Sequence, residues 1–96
     1  MRELSFIWDE RKNRQNQRKH GVSFEEAQSV FYDEQALLHE DPQPLHEEER
    51  FVLLGLSASL RLLVVVHALR NRDVIRIISA RRATRLEIRE YEIRLR

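Results

Sequence analysis

Apolar positions along the chain fall into short, separate patterns. Leu4-Ser5-Phe6-Ile7-Trp8 is rich in aromatic and branched side chains and predicts a short strand. Asp9 then stands where a helix cap would, ahead of ERKNRQNQRK at 10–19, a run with no apolar residue. A helix polar all round has no face to bury, which predicts a surface element. Lys19-His20-Gly21 places cations at a helix end, followed by a residue suited to the left-handed cap. Ser23, with Glu26 three residues on, predicts a reciprocal capping box, and Phe24, Ala27, Val30 and Phe31 give this second helix one buried face.

The next stretch changes character. Asp33, Glu34, Glu40, Asp41 and Glu47-Glu48-Glu49, interspersed with Pro42 and Pro44, predict a short strand over 36–39 and then an exposed acidic loop. Three strands follow at about 50–57, 60–69 and 74–80, joined by connections short enough to force antiparallel hairpins. The middle one, LRLLVVVHAL, is apolar on both alternating faces and belongs at the centre of a sheet covered on each side. Thr84 and Glu87 form a second capping-box pair that opens a C-terminal helix. Ile88, Tyr91 and Leu95 match helical spacing, whereas Tyr91, Ile93 and Leu95 alternate, so both conformations fit 91–96. The order predicts a small α+β domain over 1–96: a mainly antiparallel β-sheet with two N-terminal helices and a C-terminal helix.

Composition narrows the chemistry. Ninety-six residues leave room for one domain. The absence of cysteine excludes disulfides, thiolate zinc sites and cysteine nucleophiles, and fits a reducing cytoplasm. The longest apolar run, 62–66, is far short of the roughly 20 residues of a membrane helix. A cytoplasmic protein with no membrane partner is expected. The net charge is only +1, but it is segregated. Residues 1–24 hold six basic and three acidic side chains, 25–51 one and nine, and 52–96 ten and four. Fifteen of the 17 basic residues are Arg, whose planar fork suits phosphate and carboxylate. Such asymmetry points to a partner. The acidic middle serves to keep RNA to one side, or to receive a basic partner, or simply as a solvated loop.

Few residues stand out as chemical groups. His39 and His46 lack the spacing of a metal pair and read as loop histidines. His67 ends the apolar run, either as a buried histidine bonded to backbone or as a proton-transfer group at a cleft edge. Alternation puts Arg76 on a face with Val74, Ile78 and Ala80, and Arg81 with Ser79 and Ile77. An arginine in so apolar a strand needs a carboxylate partner, solvent or a phosphate. Arg85, Arg89, Arg94 and Arg96 read as a solvated helix face. With no nucleophile motif, phosphate loop or acid cluster for Mg²⁺, what remains is chemistry that Arg, Lys and His perform unaided. Metal-independent RNA cleavage is one such reaction, in which the 2′-hydroxyl attacks and cations stabilise the phosphorane-like transition state.

Several segments together resemble a known family. Phe6-x-Trp8-Asp9, Lys12, Asn16-x-x-Lys19-His20-Gly21-Val22-Ser23-Phe24-Glu25-Glu26-Ala27 and Val30-Phe31-x-Asp33 resemble the BrnT toxins. So do Glu48-x-Arg50-Phe51, Leu54-Gly55-x-Ser57, Arg61-x-Leu63-Val64-Val65-Val66-His67 and the run from Ile75 to Thr84. The resemblance implies a RelE-like fold and the toxin half of a bacterial type II toxin–antitoxin pair, which inhibits translation by cutting RNA. It implies neutralisation by a cognate BrnA-like antitoxin, oligomers with it, and contact with operator DNA only through it, the complex repressing its own operon. No cofactor and no metal are implied. Carried over residue by residue, His67, Arg70 and Arg81 are the catalytic candidates: the two arginines on the scissile phosphate, His67 or His20 as proton carrier. Lys19, His20, Arg76 and Arg82 are the candidates for RNA binding.

Two departures accompany the match. Ala68 stands where the family usually has Thr, followed by the apolar Leu69, and 88–96 is more apolar than the family pattern. Both bear on an alternative, a non-catalytic antitoxin-binding or nucleic-acid-binding module, that is, an inactive toxin homologue.

Overall fold

Strand β4 (Leu62–Asn71) is the middle strand of the sheet, as its two-sided apolar run requires. The structure is a computed structural model that describes residues 3–41 and 48–95; Pro42, Pro44, His46, Glu47 and Arg96 lie outside the described residues. Around β4 stand β1 (Ser5–Ile7), β2 (Leu37–Glu40), β3 (Arg50–Leu56) and β5 (Val74–Arg82), in the sheet order β1-β5-β4-β3-β2. The helices are α1 (Glu10–His20), α2 (Phe24–Ser29) with a 3-10 turn at Val30–Tyr32, and α3 (Arg85–Arg94). None among the described residues is long and apolar enough to cross a membrane.

The hairpins β3–β4 and β4–β5 are antiparallel, as is β2 on β3. β1, however, runs parallel to β5, with Ser5 opposite Val74 and Ile7 opposite Arg76, so the sheet is mixed. Short connections dictate antiparallel neighbours, but this pairing joins strands almost seventy residues apart, a separation to which local signals do not extend.

Alternation along β4 divides the core into two layers. On one face Leu63 and Val65, with Leu53, Ile75, Ile77 and Ala80, pack under Val22, Phe24, Ala27 and Val30. On the other, Leu54 and Val64 meet Tyr91 of α3, fringed by Val52, Leu56, Leu62 and Ala83. Gly55 is required where it stands: a Cβ there would lie 2.8 Å from Val30 Cγ1 and 2.9 Å from the Ala36 Cβ.

The caps separate into one complete and one half-made. Thr84 N–H donates to Glu87 at 2.7 Å while Glu87 N–H donates to Thr84 Oγ1 at 3.3 Å, closing the box that starts α3. At α2, Glu26 N–H donates to Ser23 Oγ at 3.0 Å, but the Glu26 carboxylate turns instead to Ser57 Oγ (2.7 Å) and the Arg61 guanidinium. α3 stays helical to Arg94, so helical spacing prevails over alternation at the chain's end. Its Glu87 carboxylate and the Tyr91 ring give the helix a hold on the sheet that an extended segment would forfeit.

Candidate nucleic-acid interface

The polar helix α1 is the surface element its composition predicts, exposed along most of its length, yet two buried amides anchor it. Asn13 is 0% exposed and Asn16 7%, because the face α1 buries is made of amides rather than hydrocarbon. Asn13 Oδ1 accepts from Phe24 N–H (2.8 Å), and its amide nitrogen donates to Glu10 and Glu25. Asn16 Nδ2 donates to Val22 O (2.8 Å) and Ala80 O (2.7 Å), and its Oδ1 accepts from Ala80 N–H (3.2 Å). β1 covers the outer edge of β5 only along Val74–Arg76. Asn16 satisfies the same edge farther on, acting as a one-residue strand neighbour, and buried backbone groups demand such partners.

This anchoring aligns the cations of α1 with β5. Asp9 caps the helix start, accepting from Arg11 N–H at 2.8 Å, and Gly21 ends it in the left-handed conformation at φ 69°. Between these ends Lys12, Lys19 and His20 line a cleft of about 260 Å³ whose floor is Ile78 and Ser79. Lys12 and Ser79 were not among the site residues the sequence pointed to. Lys12 falls seven residues before Lys19, two helical turns away on the same face, which is the signal that would have included it.

The arginines of β5 are arranged by a bulge. Val66 pairs with Ser79 but His67 with Ile77, so Ile78 has no residue opposite it. This shifts the alternation. Arg76, Ser79 and Arg81, opposite Ala68, Val66 and Val64, share the α3 face, while Ile75, Ile77 and Ala80 share the other. The expected grouping of Arg76 with Ile78 and Ala80 is therefore overturned. Arg81 makes a two-pronged bond to Glu87, both contacts 2.9 Å, and also donates to Arg82 O. These bonds raise its pKa and hold the Glu87 carboxyl down at about 2, helped by the Thr84 N–H and opposed by burial. Among the described residues three of the five guanidinium N–H donors of Arg81 are used. Arg76 pairs with Glu48, and its buried Nε has no partner among the described residues.

The remaining candidates stand apart from this cleft. His67 is 3% exposed on the α2 face, its ring 4.7 Å from that of Phe31 and tilted against Phe51. Its Nδ1 lies 3.3 Å from Val65 O, and burial pushes the imidazole pKa below its ordinary value, partly opposed by that carbonyl. It is a packed interior histidine within β4 rather than a group at a strand end. Arg70 is exposed near the far end of β4, six residues beyond the partner of Arg81. At ordinary strand rise that is about 20 Å, so the two arginines do not meet over one phosphate. Arg82 is exposed and sits opposite Leu63, on the α2 face, where it adds to the positive charge around Glu26. Among the described residues no three His, Asp or Glu side chains converge as metal ligands.

The chain is thus a small α+β protein in which Lys12, Lys19 and His20 of α1 face β5, the strand that carries Arg76, Arg81 and Arg82. The model of the family described as "Ribonuclease toxin, BrnT, of type II toxin-antitoxin system" matches residues 8–87, and the chain belongs to that family. The 1.1 Å crystal structure of the Brucella abortus ribonuclease toxin BrnT shares the fold, with a TM-score of 0.65 at 24% identity, covering 85% of this chain and 99% of that one. No curated protein matches the chain.

Proposed function

We propose that this chain is the ribonuclease of a toxin–antitoxin module, a RelE-like cytoplasmic enzyme that cuts RNA without a metal. In this reading a BrnA-like antitoxin neutralises it, and the pair represses its own operon through the antitoxin's contacts with operator DNA. The observation that carries the catalytic part is the bulge in β5, which puts Arg76 and Arg81 on one face with Ser79, itself a residue of the Lys12–Lys19–His20 cleft. The RNA 2′-hydroxyl would attack the adjacent phosphorus and the bond to the 5′ oxygen would break, leaving a cyclic phosphate and a free 5′-hydroxyl. His20 takes the 2′-hydroxyl proton, and the departing 5′ oxygen takes a proton from solvent water. Arg81, its position fixed by Glu87, stabilises the charge that develops on the phosphorane-like oxygens. Lys12, Lys19 and Arg76 hold the flanking backbone, Arg70 reaches a more distant phosphate, and His67 serves the core.

The test is cleavage of a defined RNA by the purified chain in EDTA. Cleavage should persist, and Arg81→Ala should reduce it by about 10²–10³, the usual cost of one transition-state donor, with an unchanged circular dichroism spectrum. Full activity in Arg81→Ala sinks the assignment, and loss of cleavage in EDTA sinks the metal-free mechanism. One observation favours a second reading, a non-catalytic binding module: Arg76 and Arg81 each already carry an internal carboxylate. Salt-sensitive RNA binding without any cut product would identify that case.

A further inference from the structure

A second recess, larger than the cationic cleft, is apolar. It lies between the tip of the β3–β4 hairpin and the start of α3, a groove of about 480 Å³ walled by Leu56, Leu60, Leu62, Ala83 and Ile88. Arg61 and Arg82 flank it, and among the described residues no carboxylate lines it. Arg61 is committed to Glu26 and to Gly21 O. Arg82 makes no ion pair among the described residues and stands exposed at the mouth.

Leu60 is the informative residue. The hairpin turns through Ser57 to Leu60, with Leu60 N–H donating to Ser57 O at 2.9 Å and Ser57 N–H to Arg61 O at 2.8 Å. Leu60 follows that turn at φ 63°, the left-handed position where such hairpins take glycine. Among the described residues no other non-glycine residue has positive φ. A branched side chain is strained there, and this one is 78% exposed, so it returns almost no burial. The turn thus presents an exposed apolar side chain at the rim of the groove.

We propose that this groove is the docking site for the antitoxin, which inserts an amphipathic segment whose apolar side chains pack on Leu60 and Ile88 and whose carboxylate meets Arg82. The inference rests on the toxin–antitoxin reading above and adds where, and by what chemistry, the partner binds. Charge complementarity selects an acidic segment: among the described residues the charged groups on the groove are Arg61 and Arg82, and Arg82 makes no ion pair there. RNA is the poorer occupant, since the lining has no aromatic ring on which a base would stack. The location also couples docking to neutralisation. Arg61 bonds Gly21 O at 3.1 Å, directly after His20, and Arg82 follows Ser79 by three residues on β5. A segment that extends from the groove along β5 would reach the cationic cleft, since Ser79 lies about 10 Å from Arg82 along the strand.

The experiment uses the full chain and, as probe, the purified protein encoded by the reading frame adjoining its gene, with affinity read by calorimetry. Leu60→Asn keeps a residue that accepts positive φ but removes the apolar contact. Its melting temperature should be no lower than that of the unmodified chain, its RNA cleavage unchanged, and its affinity for the probe at least about tenfold weaker, as for a contact residue at an interface centre. Arg82→Glu should weaken binding and flatten its salt dependence. Equal affinity of Leu60→Asn and the unmodified chain overturns the docking site while leaving the toxin–antitoxin reading intact. A probe that fails to bind the unmodified chain overturns that reading and the proposal together. A dimer of the chain in sedimentation that Leu60→Asn dissolves would assign the groove to a second copy and overturn it as well.

Discussion

The two faces of the sheet are closed by different physics. Under α2, buried side chains from Val22 to Ala80 form one continuous apolar layer. Under α3 the buried cluster shrinks to Leu54, Val64 and Tyr91, and directional polar contacts hold the helix. Glu87 grips Arg81, Tyr91 donates its hydroxyl to Asp33 at 2.6 Å, Arg94 Nε donates to Gln35 O, and His39 meets Glu90. Burial of hydrocarbon is indifferent to pH and nearly to salt, whereas each of those polar contacts responds to one or both. The difference assigns stability to the α2 face and adjustable contacts to the α3 face, where Arg81, Arg76 and the apolar groove also lie.

The comparison is broken most directly by matched truncations. Leu63→Ala, at a fully buried site on the α2 face, should cost about 3–5 kcal/mol in urea unfolding, the upper part of the range for core leucines. Leu54→Ala, buried on the α3 face, should cost about 2–3 kcal/mol, because a thin layer collapses into the space. Equal losses would mean that the two faces are equally sealed. Asn16→Ala should come next, at about 2–3 kcal/mol. It strips partners from the Val22 carbonyl and from both backbone groups of Ala80, each costly to bury unpaired. A loss under about 1 kcal/mol would show that water replaces the amide.

Asn16 also marks where reading from sequence fails. Strands β3 to β5, the cap at Gly21 and the box at Thr84 were legible because each is encoded by neighbours: alternation, short connections, a glycine after cations. The buried stripe of α1 was not, since it is written in asparagine and a hydrophobic pattern has no term for an amide that replaces a strand. Asn13 and Asn16, three apart amid long-chain helix formers, are the trace it leaves, as asparagine is otherwise unfavourable inside a helix. The bulge at Ile78 lacks even that. It contains no glycine, yet it reverses which face Arg76 occupies, so half of the candidate site was invisible to alternation. Conversely, several residues that carry the family resemblance prove to be clamps. Glu26 ties Ser57 and Arg61, and Asp33 accepts from Leu56 N–H and Tyr91. A family motif identifies the family while much of it reports packing.

Smaller effects sharpen the picture of the α3 face. Burial and the neighbouring Asp33 carboxylate push the Tyr91 hydroxyl up to about 12. Tyr91→Phe should cost about 1 kcal/mol, one hydrogen bond, since Asp33 keeps its bonds from Leu56 N–H (2.7 Å) and Gln35 N–H (2.9 Å). Glu87 supplies the acid limb. Its carboxyl is held at about 2 against an ordinary 4.5, chiefly by Arg81. The stabilisation is therefore complete above pH 4.5 and is lost as pH falls from there towards 2. Because the Arg81 side chain is 42% exposed, screening reduces this to roughly 1 kcal/mol. Glu87→Gln should flatten that part of the stability–pH curve, and an unchanged acid limb would assign it to other carboxylates.

The smallest effect belongs to His39 and Glu90, and it is the one that isolates the polar ties from the apolar layer. The pair is short, 2.8 Å, but its side chains are 55% and 47% exposed and join an edge strand to the solvent side of α3. Water and salt compete for both groups, and ordering two exposed side chains offsets much of the attraction. A double-mutant cycle of His39→Ala and Glu90→Ala should give a coupling below about 0.5 kcal/mol at 0.15 M salt. A coupling above about 1 kcal/mol would mean that α3 is clamped at its β2 side as firmly as at Arg81, and the helix would then have to be counted with the rigid half of the molecule. With the small value, the hold on α3 rests on Glu87, Tyr91 and Arg94 rather than on the exposed pair.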